Sequence, residues 1–412
     1  MRGKMSLGTK TMIGMIAGGI VGFAVGPKIE AIQIVGDIFL RLLQMSIVPL
    51  IYVSVTSAIA NMGDIKKLGQ IGIRTVVLFI ATAISAAVYG LLVGNLFSPG
   101  SGLILKDLPP VTHLAESPSL QNVLRDMFPV NIVKSMADGS MLQVITFAFF
   151  SGVAILLLAE DQRLRVAKGF DTLFQFIMKI LALVVATSPI GVFALMAVTA
   201  GKYGVNVVGP LTKFIITMYA GFALHLVLFL FIFYFLLTRK NPISFFRSIS
   251  TIWITSLSTC STKATMPVAM EVCEKTAEIP KDICGFVIPL GASSNMDGSA
   301  LWYGVVAMFV TQMLGIDLSI PQQFMTVFVA VLMTMGSTGI PGGTFVQTAV
   351  FLKTMGLPLE VMGLLGGIYR IIDMGLTTMN VLGTVFITAI VGHFERKQSA
   401  AQGQAIQGDT QS

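Results

Sequence analysis

Long apolar stretches, each about the length of a membrane-spanning helix, recur along the whole chain. Eight of them are predicted to be spans, near residues 11–28, 33–60, 74–97, 130–158, 168–200, 207–237, 283–312 and 364–392. A helix needs roughly 20 mostly apolar residues to cross the hydrocarbon core of a bilayer. Only 11% of the residues are charged, whereas a soluble protein carries about 25%. The chain is therefore predicted to be an all-α multi-span membrane protein, and a soluble enzyme or a nucleic-acid-binding protein is excluded.

Two further apolar segments, near 243–275 and 321–356, are interrupted in the middle by small and polar residues. The interruptions read SLSTCSTKATMP (256–267) and TMGSTGIPGG (334–343). Non-helical backbone at membrane depth is tolerated only where protein or water satisfies it, and paired broken segments indicate the substrate site of a transporter. Ordinary loops between short helices are the alternative. We predict that both segments are re-entrant helical hairpins.

Basic residues near the predicted span ends indicate the orientation. With the N-terminus inside, eight crossings put the following on one side: Arg2, Lys4, Lys10, Lys66, Lys67, Arg74, Arg163, Arg165, Lys168, Arg239, Lys240, Arg247, Arg396 and Lys397. Cytoplasmic loops carry an excess of Lys and Arg. We therefore expect a multi-pass protein of the plasma membrane (a bacterial inner membrane), embedded in the lipid bilayer with both termini cytoplasmic.

One polar stripe follows the last predicted span. Asp373, Thr377, Asn380 and Thr384 are separated by four, three and four residues, so they share one face of a helix. Arg370 extends that face. Interhelical packing explains Thr and Asn, but an acidic residue inside a span is a candidate for function, with a structural ion pair to Arg370 as the alternative.

A second group of polar residues surrounds Asp297 in the seventh predicted span. Ser293, Asn295 and Ser299 lie beside it, and Thr82 in the third span is a further oxygen donor. Such hard oxygens are the ligands that alkali and alkaline-earth cations prefer. No P-loop, GxSxG or HExxH motif occurs in the sequence, which argues against an ATP-driven pump and an intramembrane hydrolase.

Several motifs occur together in one order along the chain. They are FLRLLQMSIVPLI (39–51), the Ser-rich tip 256–267, NMDG (295–298), MGSTGIPGG (335–343) and DMGLTTMNVLGT (373–384). Over about residues 1–397, the chain resembles the dicarboxylate/amino acid:cation symporter family, which includes the glutamate transporter homologues. The resemblance implies a secondary transporter, not an enzyme.

The resemblance also implies an elevator-type fold of eight transmembrane helices plus two re-entrant helical hairpins, assembled as a homotrimer. A rigid scaffold would comprise 1–73 (spans one and two) and 128–200 (spans four and five). A moving transport domain would comprise 74–99 (span three) and 207–397, which holds span six, hairpin one, span seven, hairpin two and span eight. The polar tail, 398–412, is predicted to be disordered.

Two sets of ligands follow from the resemblance. The substrate-binding set is Ser261, Thr262, Gly339, Asp373, Leu376, Thr377 and Asn380. The cation-binding set is Thr82, Ser293, Asn295, Asp297, Thr334, Met335, Ser337 and Asn380, with Na⁺ expected at Asn295 and Asp297. In the family, the carboxylate matched by Asp373 binds the α-ammonium group, and the residues matched by Ser261 and Thr262 hold the α-carboxylate. No cofactor is expected beyond a coupling ion, sodium or else a proton.

The chain departs from the family pattern at the substrate site. Leu376 occupies the position at which relatives that bind acidic substrates have an arginine. Cys260 occupies a position in the first hairpin at which some relatives also have an arginine. Because Leu cannot pair with a carboxylate as Arg does, we predict a small neutral amino acid such as Ser, Ala or Thr. The alternative is an acidic amino acid or a C4-dicarboxylate, with Arg370 or Lys263 as the anion clamp.

A second departure concerns the cation sites. Thr384 stands where sodium-coupled relatives usually carry Asp, and Ala83 stands where the family often has Ser. A cation removed from water needs charge or many oxygens, so fewer sodium ions or proton coupling would fit. The predicted function is an amino-acid symporter, with an anion channel on the same scaffold as an alternative from another class.

Overall fold

The computed structural model describes residues 7–60, 65–102, 125, 128–138, 140–204, 208–334, 339 and 342–409. Helices joined by turns make up this part of the chain, and it contains no strand. The all-α prediction is therefore confirmed for the described residues.

The described residues form seventeen α-helices, seven of them in the first half of the chain. They are α1 (Leu7–Val25), α2 (Gln33–Ala60), α3 (Ile65–Phe97), α4 (Ile132–Asp138), α5 (Met141–Leu156), α6 (Glu160–Ala186) and α7 (Ser188–Tyr203). A 3₁₀ segment, Gly26–Ile32, links α1 to α2.

Ten further helices follow. They are α8 (Val208–Leu224), α9 (Ile232–Thr238), α10 (Pro242–Ser248), α11 (Ser250–Thr259), α12 (Thr262–Lys275), α13 (Lys281–Ser294), α14 (Asp297–Met313), α15 (Ile320–Thr334), α16 (Gly343–Thr354) and α17 (Met362–Asp409). A π-helical segment, His225–Phe231, joins α8 to α9 without a break.

Four helical stretches of the described residues are long and apolar enough to cross a membrane. They are Ile13–Phe39, Ile71–Phe97, Val208–Thr238 and Leu359–Lys397. A fifth is obtained if α6 and α7, which are bent by 49° at their junction, count as one span. Other predicted spans are divided: 283–312 separates into α13 and α14 at Asn295 and Met296. The number of eight spans therefore stays a prediction.

The helices pack in two groups. In one, α2 packs against α5, α6 and α7, and α1 lies along α7. Gly14, Gly18 and Gly22 make that contact possible, since a Cβ at any of them would collide with a backbone carbonyl of α7. Small residues spaced by four are typical of closely packed membrane helices. In the other group, α14 packs against α3, α8, α15 and α17.

Each interrupted segment forms a pair of short helices. In the first, α11 and α12 pack against each other and meet at Cys260, which has a positive φ of 51°. Ser261 then caps α12 by accepting a hydrogen bond from the N–H of Ala264. In the second, α15 packs against α16, with Gly339 and Gly342 at positive φ between them. Both segments are therefore helical hairpins, and their re-entrant course in the membrane stays a prediction.

The last helix, α17, lies at the centre of the fold. It packs against α11, α13 and α14 in one group and against α7 in the other, and its apolar part is almost entirely buried. It continues as helix to Asp409, through the segment predicted to be a disordered tail. This position brings the polar stripe that begins at Asp373 into the interior.

Candidate functional site

The two hairpin tips meet at one carbonyl. The Gly339 oxygen accepts hydrogen bonds from Ser261 Oγ at 3.2 Å, Thr262 Oγ1 at 3.1 Å and the backbone N–H of Lys263 at 3.2 Å. Thr262 also lies 3.1 Å from the Ala292 carbonyl at the end of α13. The structure thus brings together three residues predicted to bind substrate. The hydroxyls of Ser261 and Thr262 donate to the Gly339 carbonyl here. A carboxylate that bound to these hydroxyls would replace that carbonyl oxygen as the acceptor.

Asp373 lies behind these tips and is 2% exposed. Its Oδ1 accepts from Tyr369 Oη at 3.1 Å and from Thr377 Oγ1 at 3.4 Å, and its Oδ2 accepts from the N–H of Gly342 at 3.2 Å. A buried carboxylate is costly unless its oxygens are paired. Here α17 and the second hairpin supply the partners together. Neither Tyr369 nor Gly342 belongs to the ligand sets predicted from the sequence.

The two candidate anion clamps point in different directions. Arg370 is part-exposed, and its Nη1 lies 3.8 Å from Asp373 Oδ2. Lys263 instead places its Nζ over the Phe174 ring of α6, 5.0 Å from the ring centroid. Leu376 is buried, and its carbonyl lies against Gly298, where a Cβ would collide with it. Of the two basic residues, Arg370 is the one beside the buried carboxylate.

A second polar cluster forms where α13 ends and α14 begins. Asn295 and Met296 leave the helix, and Asp297 starts α14, fully buried. The carboxylate approaches α17 at Gly383, where any side chain would collide with Asp297 Oδ2. The break therefore turns polar groups of the predicted seventh span inward, against the helix that carries Asp373.

The nitrogen and the oxygen of the Asn295 carboxamide both have hydrogen-bond partners when the nitrogen faces Thr82 and Asp297. The nitrogen then lies 3.0 Å from Thr82 Oγ1 and 3.2 Å from Asp297 Oδ1, and the oxygen lies 3.0 Å from the N–H of Thr384. The reversed amide places its oxygen 3.0 Å from Thr82 Oγ1. We adopt the first orientation, because Thr82 Oγ1 already donates to the Phe79 carbonyl and an ionised carboxylate needs a donor.

Hard oxygens and a single carboxylate make up this cluster, a donor set that suits a monovalent alkali cation. Thr82, Asn295 and Asp297, all predicted cation ligands, are brought together there. Thr384 is also present: its Oγ1 donates to the Asn380 carbonyl at 3.2 Å, and its side chain fills the space that Gly291 leaves. The residues present therefore fit one such ion, which Thr82 and Asp297 would hold together with Asn295, whose amide would turn over so that its oxygen faces Thr82.

The other predicted cation ligands are distributed around this cluster. Asn380 Oδ1 accepts from the N–H of Ser299 at 3.2 Å, and Ser299 Oγ lies 2.8 Å from Thr344 Oγ1 of the second hairpin. Thr334 is buried and donates to the Val331 carbonyl. Ser293 is half-buried on the last turn of α13. Met335 and Ser337 lie outside the described residues.

Sequence reasoning missed one residue of this cluster. His225, at the start of the π-helical segment, places Nε2 3.4 Å from Asp297 Oδ2, and both side chains are buried. Its neighbours in the sequence, HLVLFLF, are apolar, so no motif marks it. The available signal is the isolated ionisable residue in an apolar span.

The structure has two buried carboxylates among apolar helices, each paired by the protein, and one of them lies beside two hairpin tips. Such an arrangement is typical of an ion-coupled membrane transporter. Known proteins agree with that class. A model of the sodium:dicarboxylate symporter family matches residues 7–394, and the chain belongs to this family. Its members are transporters rather than enzymes, and they use sodium or protons as coupling ions.

Similar proteins cover nearly the whole chain. The chain is 33% identical to a proton/sodium-glutamate symport protein of Bacillus caldotenax, over 99% of each. It is 31% identical to a proton/glutamate-aspartate symporter of Escherichia coli, over 90% of this chain and 88% of that one. It is 32% identical to C4-dicarboxylate transport protein 1 of Mesorhizobium japonicum, over 98% of this chain and 86% of that one. The family predicted from the motifs is confirmed.

Proposed function

We propose that the chain is a secondary symporter that carries an acidic amino acid, of the glutamate or aspartate type, together with a monovalent cation. The observation that carries this proposal is the pairing of Arg370 with the buried Asp373 beside the two hairpin tips. Asp373 offers a carboxylate to the substrate ammonium, and Arg370 offers a guanidinium to the side-chain carboxylate. Ser261 and Thr262 offer hydroxyls to the α-carboxylate.

The names of similar proteins support the acidic substrate. They mention glutamate, aspartate or C4-dicarboxylates, and none of these supports the neutral amino acid predicted from Leu376. The position of Lys263 over Phe174 leaves Arg370 as the anion clamp. Arg binds carboxylates with two parallel hydrogen bonds, so it can replace the arginine missing at Leu376.

A C4-dicarboxylate fits the site less well. Such a substrate brings two negative charges and no ammonium, so no cationic group of the substrate would face Asp373. A like charge in a buried site is costly. A neutral amino acid is the second candidate, and the observation that favours it is the buried, apolar Leu376.

Sodium is the coupling ion that the donor set favours, with a proton as the alternative. We propose that Thr82, Asn295 and Asp297 hold it, with Ser293, Thr334, Met335, Ser337 and Asn380 in a second set. Thr384 supplies no charge, which supports fewer ions per cycle than in relatives with Asp at that position. Cation and substrate together neutralise the site and let the second hairpin close, so coupling is a linkage between two binding free energies.

The two groups of helices support an elevator mechanism. The α1, α2 and α5–α7 group would be the scaffold, and the group around α14 and α17 would be the transport domain that moves. A homotrimer in the bacterial inner membrane with both termini cytoplasmic remains part of the proposal. Large exposed apolar side chains along α1, α3 and α8, such as Ile20, Leu92 and Ile216, are suited to lipid or subunit contacts.

Uptake into proteoliposomes tests the substrate. We expect labelled glutamate to accumulate under an inward sodium gradient, or a proton gradient in parallel vesicles, and aspartate to block it. Arg370→Gln should weaken glutamate uptake at least about tenfold, the usual loss for a hydrogen bond to a charged group. Lys263→Gln, the matched control, should stay within about threefold. Uptake blocked by serine but not by aspartate, or unchanged in Arg370→Gln, would favour the neutral amino acid.

A further inference from the structure

His225 is a second ionisable group in the Asp297 cluster, and it has no place in the proposed ligand set. Its Nε2 lies 3.4 Å from Asp297 Oδ2. Because an ionised carboxylate only accepts hydrogen bonds, we assign the ring hydrogen to Nε2, which then donates to Oδ2. The contact joins the π-helical segment to the start of α14, 72 residues further along the chain.

The imidazole is held in place from two sides. The Phe229 ring is stacked on it, with centroids 5.5 Å apart and planes 7° from parallel. The Tyr89 ring of α3 meets it edge-on at 5.8 Å. His225 also begins the π-helical segment, and such widened turns are frequently found at functional sites. The backbone and both rings thus orient one side chain toward one carboxylate.

The other ring nitrogen, Nδ1, indicates that this orientation of the imidazole costs free energy of folding. Nδ1 is buried and has no hydrogen-bond partner in the described part of the chain. A buried polar atom without a partner destabilises a fold. A histidine kept only for packing would be replaced without loss by an apolar residue. The arrangement is therefore explained by what Nε2 does.

We propose that His225 is a positioning residue for the coupling cation. By donating a hydrogen bond to Oδ2, it holds the Asp297 carboxylate so that Oδ1 faces Asn295, where the cation would bind. This inference rests on the proposed cation coupling, but it does not depend on the substrate. The role needs a hydrogen-bond donor at the position of Nε2 and no change of charge.

Two amide substitutions separate this role from packing. The amide nitrogen of Gln lies as many bonds from Cβ as Nε2 does, whereas that of Asn lies only as far as Nδ1. His225→Gln therefore keeps the donor, and His225→Asn loses it at similar polarity. His225→Leu removes both nitrogens and keeps the bulk.

The experiment measures the rise in melting temperature of the purified protein as sodium replaces N-methyl-D-glucamine at constant ionic strength and pH. This shift reports sodium binding by linkage, without substrate. We expect the half-saturating sodium concentration to rise about tenfold in His225→Asn and His225→Leu, and to stay within about threefold in His225→Gln. The lithium-to-sodium ratio of half-saturating concentrations should change in the first two variants.

The outcomes separate the two proposals. Equal sodium affinity in all variants, with only the melting temperature in the absence of sodium lowered, would overturn the positioning role and indicate packing. A wild-type protein that sodium does not stabilise would overturn both this inference and sodium coupling. A protein that binds sodium as expected but fails to transport glutamate would leave His225 supported and contradict the proposed substrate alone.

Discussion

Asp373 and Asp297 are both buried acidic residues inside apolar helices, but the protein surrounds them differently. Asp373 contacts a part-exposed guanidinium and the backbone of the second hairpin, both near the hairpin tips. Asp297 is enclosed by α17, Asn295 and His225. Groups that bind and release a substrate need partners that can move, whereas a dehydrated ion needs ligands fixed in advance. The comparison therefore supports the proposal that the substrate binds at the first carboxylate and the cation at the second.

Removing the charge of Asp373 should give the largest effect. Breaking one partner of a buried charge pair costs about 3–5 kcal/mol, so Asp373→Asn should weaken glutamate binding at least about 100-fold. Isothermal titration calorimetry on the purified protein measures this loss. Sodium should still raise the melting temperature of the variant, because Asp297 is intact. Loss of both responses would show that the two carboxylates act as one site and would contradict the comparison.

The corresponding change at Asp297 should have a smaller and different effect. Asp297→Asn removes the charge that the cation needs, so the sodium concentration for half-maximal glutamate binding should rise about 10- to 100-fold. At saturating sodium, the affinity for glutamate should approach that of the wild type. The measurement is glutamate binding across a sodium series. An unchanged sodium requirement would remove Asp297 from the cation site.

A change beside Asp297 tests whether its fixed position matters. Gly383→Ala places a methyl group against Asp297 Oδ2, and such overpacking costs about 1–3 kcal/mol. We expect a lower melting temperature and weaker sodium stabilisation. Gly285→Ala in α13 is the control, because a Cβ there meets nothing within 4 Å and Ala favours helix over Gly. Equal behaviour of the two variants would show that Asp297 tolerates displacement.

The same comparison explains what could be predicted from the sequence. Helical periodicity places Asp373 and Thr377 on one face, and Thr377 does lie within hydrogen-bond distance of Asp373. Further along the stripe, Asn380 and Thr384 belong with Ser299 and Asn295 instead. Helical periodicity alone places residues on one face of a helix. A polar stripe about three turns long, however, runs past both the Asp373 site and the Asp297 cluster. Which site each residue joins depends on where α14 begins.

Residues from other helices were harder to predict. Small polar residues that interrupt apolar sequence indicated the hairpin tips, and the family resemblance then indicated Ser261 and Thr262 within the first tip. His225 interrupts nothing and belongs to no motif, and its partner is distant in the sequence. The direction of Lys263 also depends on a tertiary contact, with Phe174 of another helix group. Contacts between distant helices are set by packing, and a single sequence does not record them.

The smallest effect is expected at Thr384. A substitution there tests whether the protein can bind a further cation without a change at the substrate site. A small cavity lined by Thr262, Ala292 and Val385 adjoins Thr384 and gives room for the one additional heavy atom of Asp. A carboxylate there adds charge beside Asn295, so Thr384→Asp should bind about one more sodium ion per substrate. The slope of log glutamate affinity against log sodium concentration should then rise by about one. Thr384→Asn, which matches Asp in size but carries no charge, should keep the wild-type slope. Equal slopes in all three proteins would show that Thr384 does not reduce the number of bound cations. The difference from relatives with Asp at this position would then have no effect on coupling.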